Sequence, residues 1–139
     1  MATRSRIAIE NGDGSVTSVY CHFDGYISVN GKTLNEHYQD PKKVKALIDL
    51  GSLSSLNKDL EPTEGVQHDF SNQAKNVTVA YHRDRGEDLD YGRHASAKAF
   101  FKSDIEQYGY LFTQAGEWYV KGGKFTEAVL LTKAIEQDY

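Results

Sequence analysis

Hydrophobic and polar positions alternate from Arg6 to Asn11, with Ile7 and Ile9 on one side of an extended chain. Asn11-Gly12-Asp13-Gly14-Ser15 is a dense turn signal, and Val16 to Phe23 is rich in β-branched and aromatic residues. Together they predict an N-terminal hairpin, which Asp24-Gly25 ends. Residues 31–39 can form a short helix, with Leu34 and Tyr38 four apart. The next segment is better punctuated. Asp40 suits an N-cap and Pro41 the first helical position. Val44, Leu47 and Ile48 form one apolar stripe, and Gly51 can take the left-handed conformation that stops a helix. The pattern predicts a helix over 41–50, with Leu53, Leu56 and Leu60 as an irregular return.

Residues 57–76 are polar, contain Pro62 and Gly65, and predict a long mobile loop. Val77 to Tyr81 alternates as a strand and runs into a charged stretch over residues 82–90. Ala97, Phe101, Ile105 and Tyr108 recur at helical spacing, so a helix is expected over 95–106. Tyr108 to Thr113 and Glu117 to Lys121 flank Gln114-Ala115-Gly116 as a second hairpin, which Gly122-Gly123 breaks. Thr126 can cap a last helix, with Phe125 stapled onto Leu130. The order β-β-α-β-α-β-β-α predicts a single α+β domain over 1–139. Its sheet is expected to be mainly antiparallel, built from two hairpins plus a central strand and packed with about three helices.

Composition narrows the function classes. The 139 residues carry 16 basic and 20 acidic groups, a net charge of −4. Residues 1–70 hold −3 of it and 71–139 hold −1, so neither half is a basic arm and a broad nucleic-acid surface is not expected. No apolar run approaches the ~20 residues of a membrane span. Residues 1–6 lead into a strand and not into a secretory segment. A lone Cys21 makes no internal disulfide, which points to a reducing cytosol.

Three segments invite chemistry. In Tyr20-Cys21-His22-Phe23-Asp24-Gly25-Tyr26, a thiol stands next to an imidazole, but neighbours on a strand point to opposite faces. Cys21 then joins Thr17, Val19 and Phe23 in the core, while Tyr20, His22 and Asp24 share the more polar face. The second segment, Tyr81 to Asp90, offers Tyr81, His82, Arg83, Asp84, Arg85 and Glu87 at a strand end. Arginine binds phosphate or carboxylate bidentately, although the acids can neutralise it in a structural network. Asp84, Glu87, Asp88 and Asp90 lack the spacing of an EF-hand loop, and the five histidines lack zinc-site spacing, so no metal is expected. Third, Tyr108, Tyr110, Phe112, Trp118 and Tyr119 cluster in the second hairpin, where one face fills the core and the other can expose tyrosine for recognition.

Three stretches carry a resemblance: Thr3-Arg4-Ser5-Arg6-Ile7, then residues 14–26 (GSVTSVYCHFDGY), then Gly31-Lys32-Thr33-Leu34. With Tyr81 to Glu87 and Gly116 to Val120, they resemble a family of small accessory proteins of tailed bacteriophages. The family pattern has Trp where this chain has Phe23. The resemblance implies a protein of the host bacterial cytoplasm made during infection and outside the virion. It carries no catalytic residue or cofactor.

The leading expectation is non-catalytic binding to a host or bacterial defence protein. The expected contacts are Tyr20, His22, Asp24, Tyr26, Tyr81, His82, Arg83, Asp84, Arg85 and Glu87. One alternative is a sponge for a small nucleotide, with Arg83 and Arg85 on phosphate and a tyrosine on the base. Another is a small hydrolase with His22 or His82 as base, and a fourth is a structural virion role. An exposed hairpin edge leaves a homodimer open.

Overall fold

The computed structural model describes residues 3–138. Strands β1 (Ser5–Glu10) and β2 (Val16–Phe23) form the expected hairpin, in register from Ser5↔Cys21 to Glu10↔Val16. Asn11 N–H donates to the Ser15 carbonyl at 2.7 Å, and Gly14 takes φ +87°, where a side chain would be strained. A π-helical turn (Ile27–Gly31) leads into α1 (Lys32–His37) and α2 (Pro41–Asp49). The Asp40 carboxylate accepts from Lys42 N–H at 2.9 Å, as its place before Pro41 predicts, and Gly51 leaves the helix at φ +77°.

The rest of the chain alternates short elements: β3 (Leu53–Ser55), β4 (Val79–Ala80), α3 (Tyr81–Arg85), β5 (Gly92–His94) and α4 (Ala97–Lys102). Then come β6 (Tyr108–Phe112), β7 (Trp118–Gly122), β8 (Phe125–Leu130) and α5 (Leu131–Asp138). The sheet runs β4-β3-β2-β1-β6-β7-β8, with β5 paired to β2 beside β3.

The fold is α+β, as expected, but four finer expectations need correction. The sheet is mixed, because β1 pairs with β6 and β2 with β3 in parallel. The strand expected at 77–81 shrinks to two residues at the sheet edge, and Tyr81 already begins α3. The last predicted helix starts five residues after Thr126. Gly122 and Gly123, at φ +140° and +57°, reverse the chain, so Phe125–Leu130 finds β7 beside it and pairs Val129 with Val120. A waiting partner strand overrides the helical reading. Last, the described residues form five α-helices where about three were expected.

Two apolar layers follow from the pleat. On one face Ile7, Val19, Cys21, Tyr110 and Val120 pack against Leu34, Val44, Leu47, Ile48 and Leu131 from α1, α2 and α5. On the other, Ala8, Val16 and Leu111 meet Phe100 of α4 and Ile105. Each fully buried Val, Leu, Ile or Phe among them contributes about 1.5–3 kcal/mol. Tyr38 knits the first layer. Its hydroxyl donates to the Asn57 carbonyl at 2.6 Å, and its own carbonyl accepts from the Trp118 indole at 2.8 Å. Burial pushes this phenol up to about 12.

A second buried tyrosine ties the core to the turn after β2, where the Tyr110 hydroxyl donates to the Gly25 carbonyl at 2.6 Å. Tyr110→Phe should cost about 1–3 kcal/mol, because it strands that carbonyl. The check is chemical denaturation, with hydrogen exchange at Gly25 N–H reading the loosened turn.

Candidate functional site

Ser5 lies between Cys21 of β2 and Tyr108 of β6, so the end of β2 and the start of β6 stand at one end of the sheet. The chain leaves β2 at Phe23 and turns at Gly25, whose N–H donates to the Thr3 carbonyl at 2.7 Å. A Cβ at Gly25 would sit 3.0 Å from the carbonyls of Thr3 and Arg4, so the close approach requires glycine. This turn pushes apolar groups outward. Phe23, Tyr26 and Val29 are 44%, 49% and 43% exposed, so Phe23, expected in the core beside Cys21, lies outside it at the end of β2.

The neighbouring polar side chains are held in place. The Tyr20 hydroxyl and His22 Nδ1 share a 2.7 Å hydrogen bond, and the His22 ring meets Phe23 edge-on at 4.6 Å. Tyr26 packs near Tyr108 at 6.3 Å. Asp24 lies in the turn and its carbonyl accepts Asn30 N–H. Burial raises the Tyr20 phenol; the Arg4 charge opposes this, while Glu106 and Tyr81 add to it. Strand β3 brings the two sequence segments singled out above near each other, since Leu53 pairs with both Cys21 and Ala80.

The second segment has a structural task. Gly86, at φ +76°, ends α3 after a single turn. Asp84, whose side chain is only 4% exposed, receives Arg83 Nε at 2.9 Å, Ala80 N–H at 2.8 Å and His68 Nε2 at 3.2 Å. His68 Nδ1 accepts from Ala74 N–H at 2.9 Å, so its ring proton sits on Nε2 and points at Asp84. Arg83 also donates to the Leu60 and Thr78 carbonyls. Asp84 therefore clips the 57–76 segment onto β4 and α3. Burial pushes its carboxyl up, but the Arg83 and Ala80 hydrogen bonds and the Arg83 charge outweigh that, with His68 acting in the same direction, and it titrates below its usual value.

Arg85 is engaged differently. Its guanidinium pairs with Glu87 and lies 4.3 Å and 4.8 Å from the ring centres of Phe70 and Tyr81, which stack on each other at 5.9 Å. His82 Nδ1 donates to the Glu87 carbonyl at 2.6 Å. Sequence reasoning missed Phe70 and His68. Their cue was Val66, His68 and Phe70 alternating within a polar stretch.

Cys21 and His22 do diverge. Burial pushes the thiol up to about 12, and it donates to the Phe23 carbonyl at 3.0 Å. Among the described residues, no group of three or more His, Cys, Asp or Glu side chains is placed to hold a metal ion, and no helix is long and apolar enough to cross a membrane. One more polar cluster lies on the α4 face. Ser18, fully buried, accepts from Arg6 Nε at 3.0 Å and shares a hydrogen bond with His94 Nε2, also at 3.0 Å. Gly92 covers it so closely that a Cβ there would come 2.6 Å from the hydroxyl. Burial, with the Arg6 charge, lowers the His94 value.

Two outcomes are expected. Asp84→Ala leaves Arg83 and His68 without their carboxylate and should cost about 3–5 kcal/mol. Limited proteolysis should then cut within 57–76 first. For His94 the folded state prefers the neutral ring. Its contribution is full above the unfolded value of about 6.5 and is lost as pH falls through that value toward the lower folded one. Denaturation midpoints measured across pH 5–8 should show this slope in the natural chain and lose it in His94→Gln. Compared with known proteins, the chain matches no family model, no curated protein and no solved structure.

Proposed function

We propose that this chain is a bacteriophage accessory protein that works in the bacterial cytoplasm by non-catalytic binding to a host or defence protein. One observation carries the reading: three large apolar side chains, Phe23, Tyr26 and Val29, stand about half exposed on a turn fixed at Gly25. Partner contacts concentrate on aromatic anchors flanked by polar groups, and an anchor already held in place loses little entropy on binding. Tyr20, His22 and Asp24 supply that polar flank. Of the expected contacts, Arg83 and Asp84 serve as the support that holds the neighbouring segment.

A nucleotide-binding reading has its own observation, the Phe70–Tyr81 stack facing Arg85. Aromatic faces accept bases, and a guanidinium accepts phosphate. Glu87 already holds that guanidinium, so phosphate would have to displace a carboxylate. Binding of this kind must raise stability, by about 2.7 kcal/mol at a hundredfold excess over Kd. A thermal-shift series over nucleotides that leaves the melting temperature unchanged removes this reading.

The protein-binding reading predicts a specific loss. Phe23→Asp with Tyr26→Asp should abolish capture of a stoichiometric partner from bacterial lysate, while the melting temperature stays within a few degrees of the natural chain. Equal capture by both forms would reject this surface.

A further inference from the structure

Two clefts meet at Lys45, at the opposite end of the sheet from the aromatic turn. One, of about 390 Å³, has mainly apolar walls from Ile9, Gly12 and Pro41 with Lys42 on its rim. The other, of about 210 Å³, is lined by Thr17, Asp49, Tyr91 and Arg93. Lys45 lines both, so the two clefts adjoin and together make a composite groove between α2, the β1–β2 turn and β5. The floor is held by the fold: the Tyr91 hydroxyl donates to the Asp49 carbonyl at 2.7 Å.

The groove's charge opposes that of the whole chain. In a molecule of net charge −4, it gathers Lys42, Lys45 and Arg93. Of its two acids, Glu10 is drawn toward the β6–β7 turn, where it accepts Gln114 N–H at 3.0 Å, and Asp49 is neutralised by Lys45 at 3.2 Å. Lys42 and Arg93 have no carboxylate partner among the described residues. Two unpaired cations flanking an apolar floor suit a ligand with the reverse pattern.

We propose that this groove binds an acidic peptide segment, seating one apolar side chain against Ile9 and Pro41 while flanking carboxylates meet Lys42 and Arg93. An acidic peptide fits better than nucleic acid. Three cations offer few phosphate contacts, and two acids on the walls would repel a uniformly charged backbone. The proposal is independent of the aromatic surface. From Ser5 to Glu10 the strands separate the two places by roughly 17 Å, so both could be occupied at once.

The test titrates the isotopically labelled full chain with the peptide acetyl-Asp-Glu-Leu-Glu-Asp-amide at low salt, followed by amide chemical shifts. Saturable shifts are expected at Thr17, Lys42, Lys45, Tyr91 and Arg93, fading as salt screens the charges. Lys42→Glu with Arg93→Glu should weaken binding at least about tenfold. Should that variant fail to melt as the natural chain does, Lys42→Gln with Arg93→Gln replaces it. The Asn/Gln form of the peptide, or its Leu→Gly form, should bind measurably less. Shifts that are absent into the millimolar range, that fall elsewhere, or that survive charge removal overturn the proposal. So does a single-stranded oligonucleotide that saturates these residues when the peptide does not.

Discussion

Everything in this fold hangs on β1 having two partners. It pairs antiparallel with β2 on one edge and parallel with β6 on the other, and it joins the N-terminal strands to the C-terminal ones. A parallel partner cannot come from a tight turn, so the chain between must travel out and return. That excursion supplies α1 and α2, which cover one face, and α4, which covers the other. It also places Tyr26 next to Tyr108 and Gly25 on the Tyr110 hydroxyl, residues that are remote in sequence.

Polar groups inside this frame act as fasteners for its weakest parts. β4 has two residues and β5 has three, too short to stand on ladder hydrogen bonds alone. Asp84 fixes the first with the long segment before it, and the Ser18–His94 contact fixes the second. Such buried networks stabilise when fully satisfied and penalise heavily when one member is lost. Charged residues that look like recognition chemistry in sequence are thus spent on holding short elements in place. The groups left facing outward are aromatic at one end of the sheet and cationic at the other.

What was legible in sequence follows the same logic. The first hairpin and α2 announce themselves, because Asn11 to Ser15, Asp40-Pro41 and Gly51 are local signals that need no tertiary partner. Phe125–Leu130 is different: its residues suit a helix or a strand, and only the position of β7 decides between them. Gly92–His94 is too short to show a period. At the site, the divergence of Cys21 and His22 was readable from strand geometry. The use of Arg83 was not, since its partners Leu60, Thr78 and His68 are brought to it by the fold. Phe70 shows in sequence only as part of a short alternation, and its partners Tyr81 and Arg85 are brought to it by the fold.

The pairing of β1 with β6 also sets a schedule. Ile7 lies opposite Tyr110, so during synthesis the first strand leaves the ribosome about a hundred residues before its second partner exists. At ordinary elongation rates that interval is roughly 5–20 s. Throughout it the N-terminal hairpin carries an open, apolar edge at Ile7 and Ala8 that later becomes the middle of the sheet. The nascent chain is therefore most vulnerable to mispairing at the strand that ends up best protected.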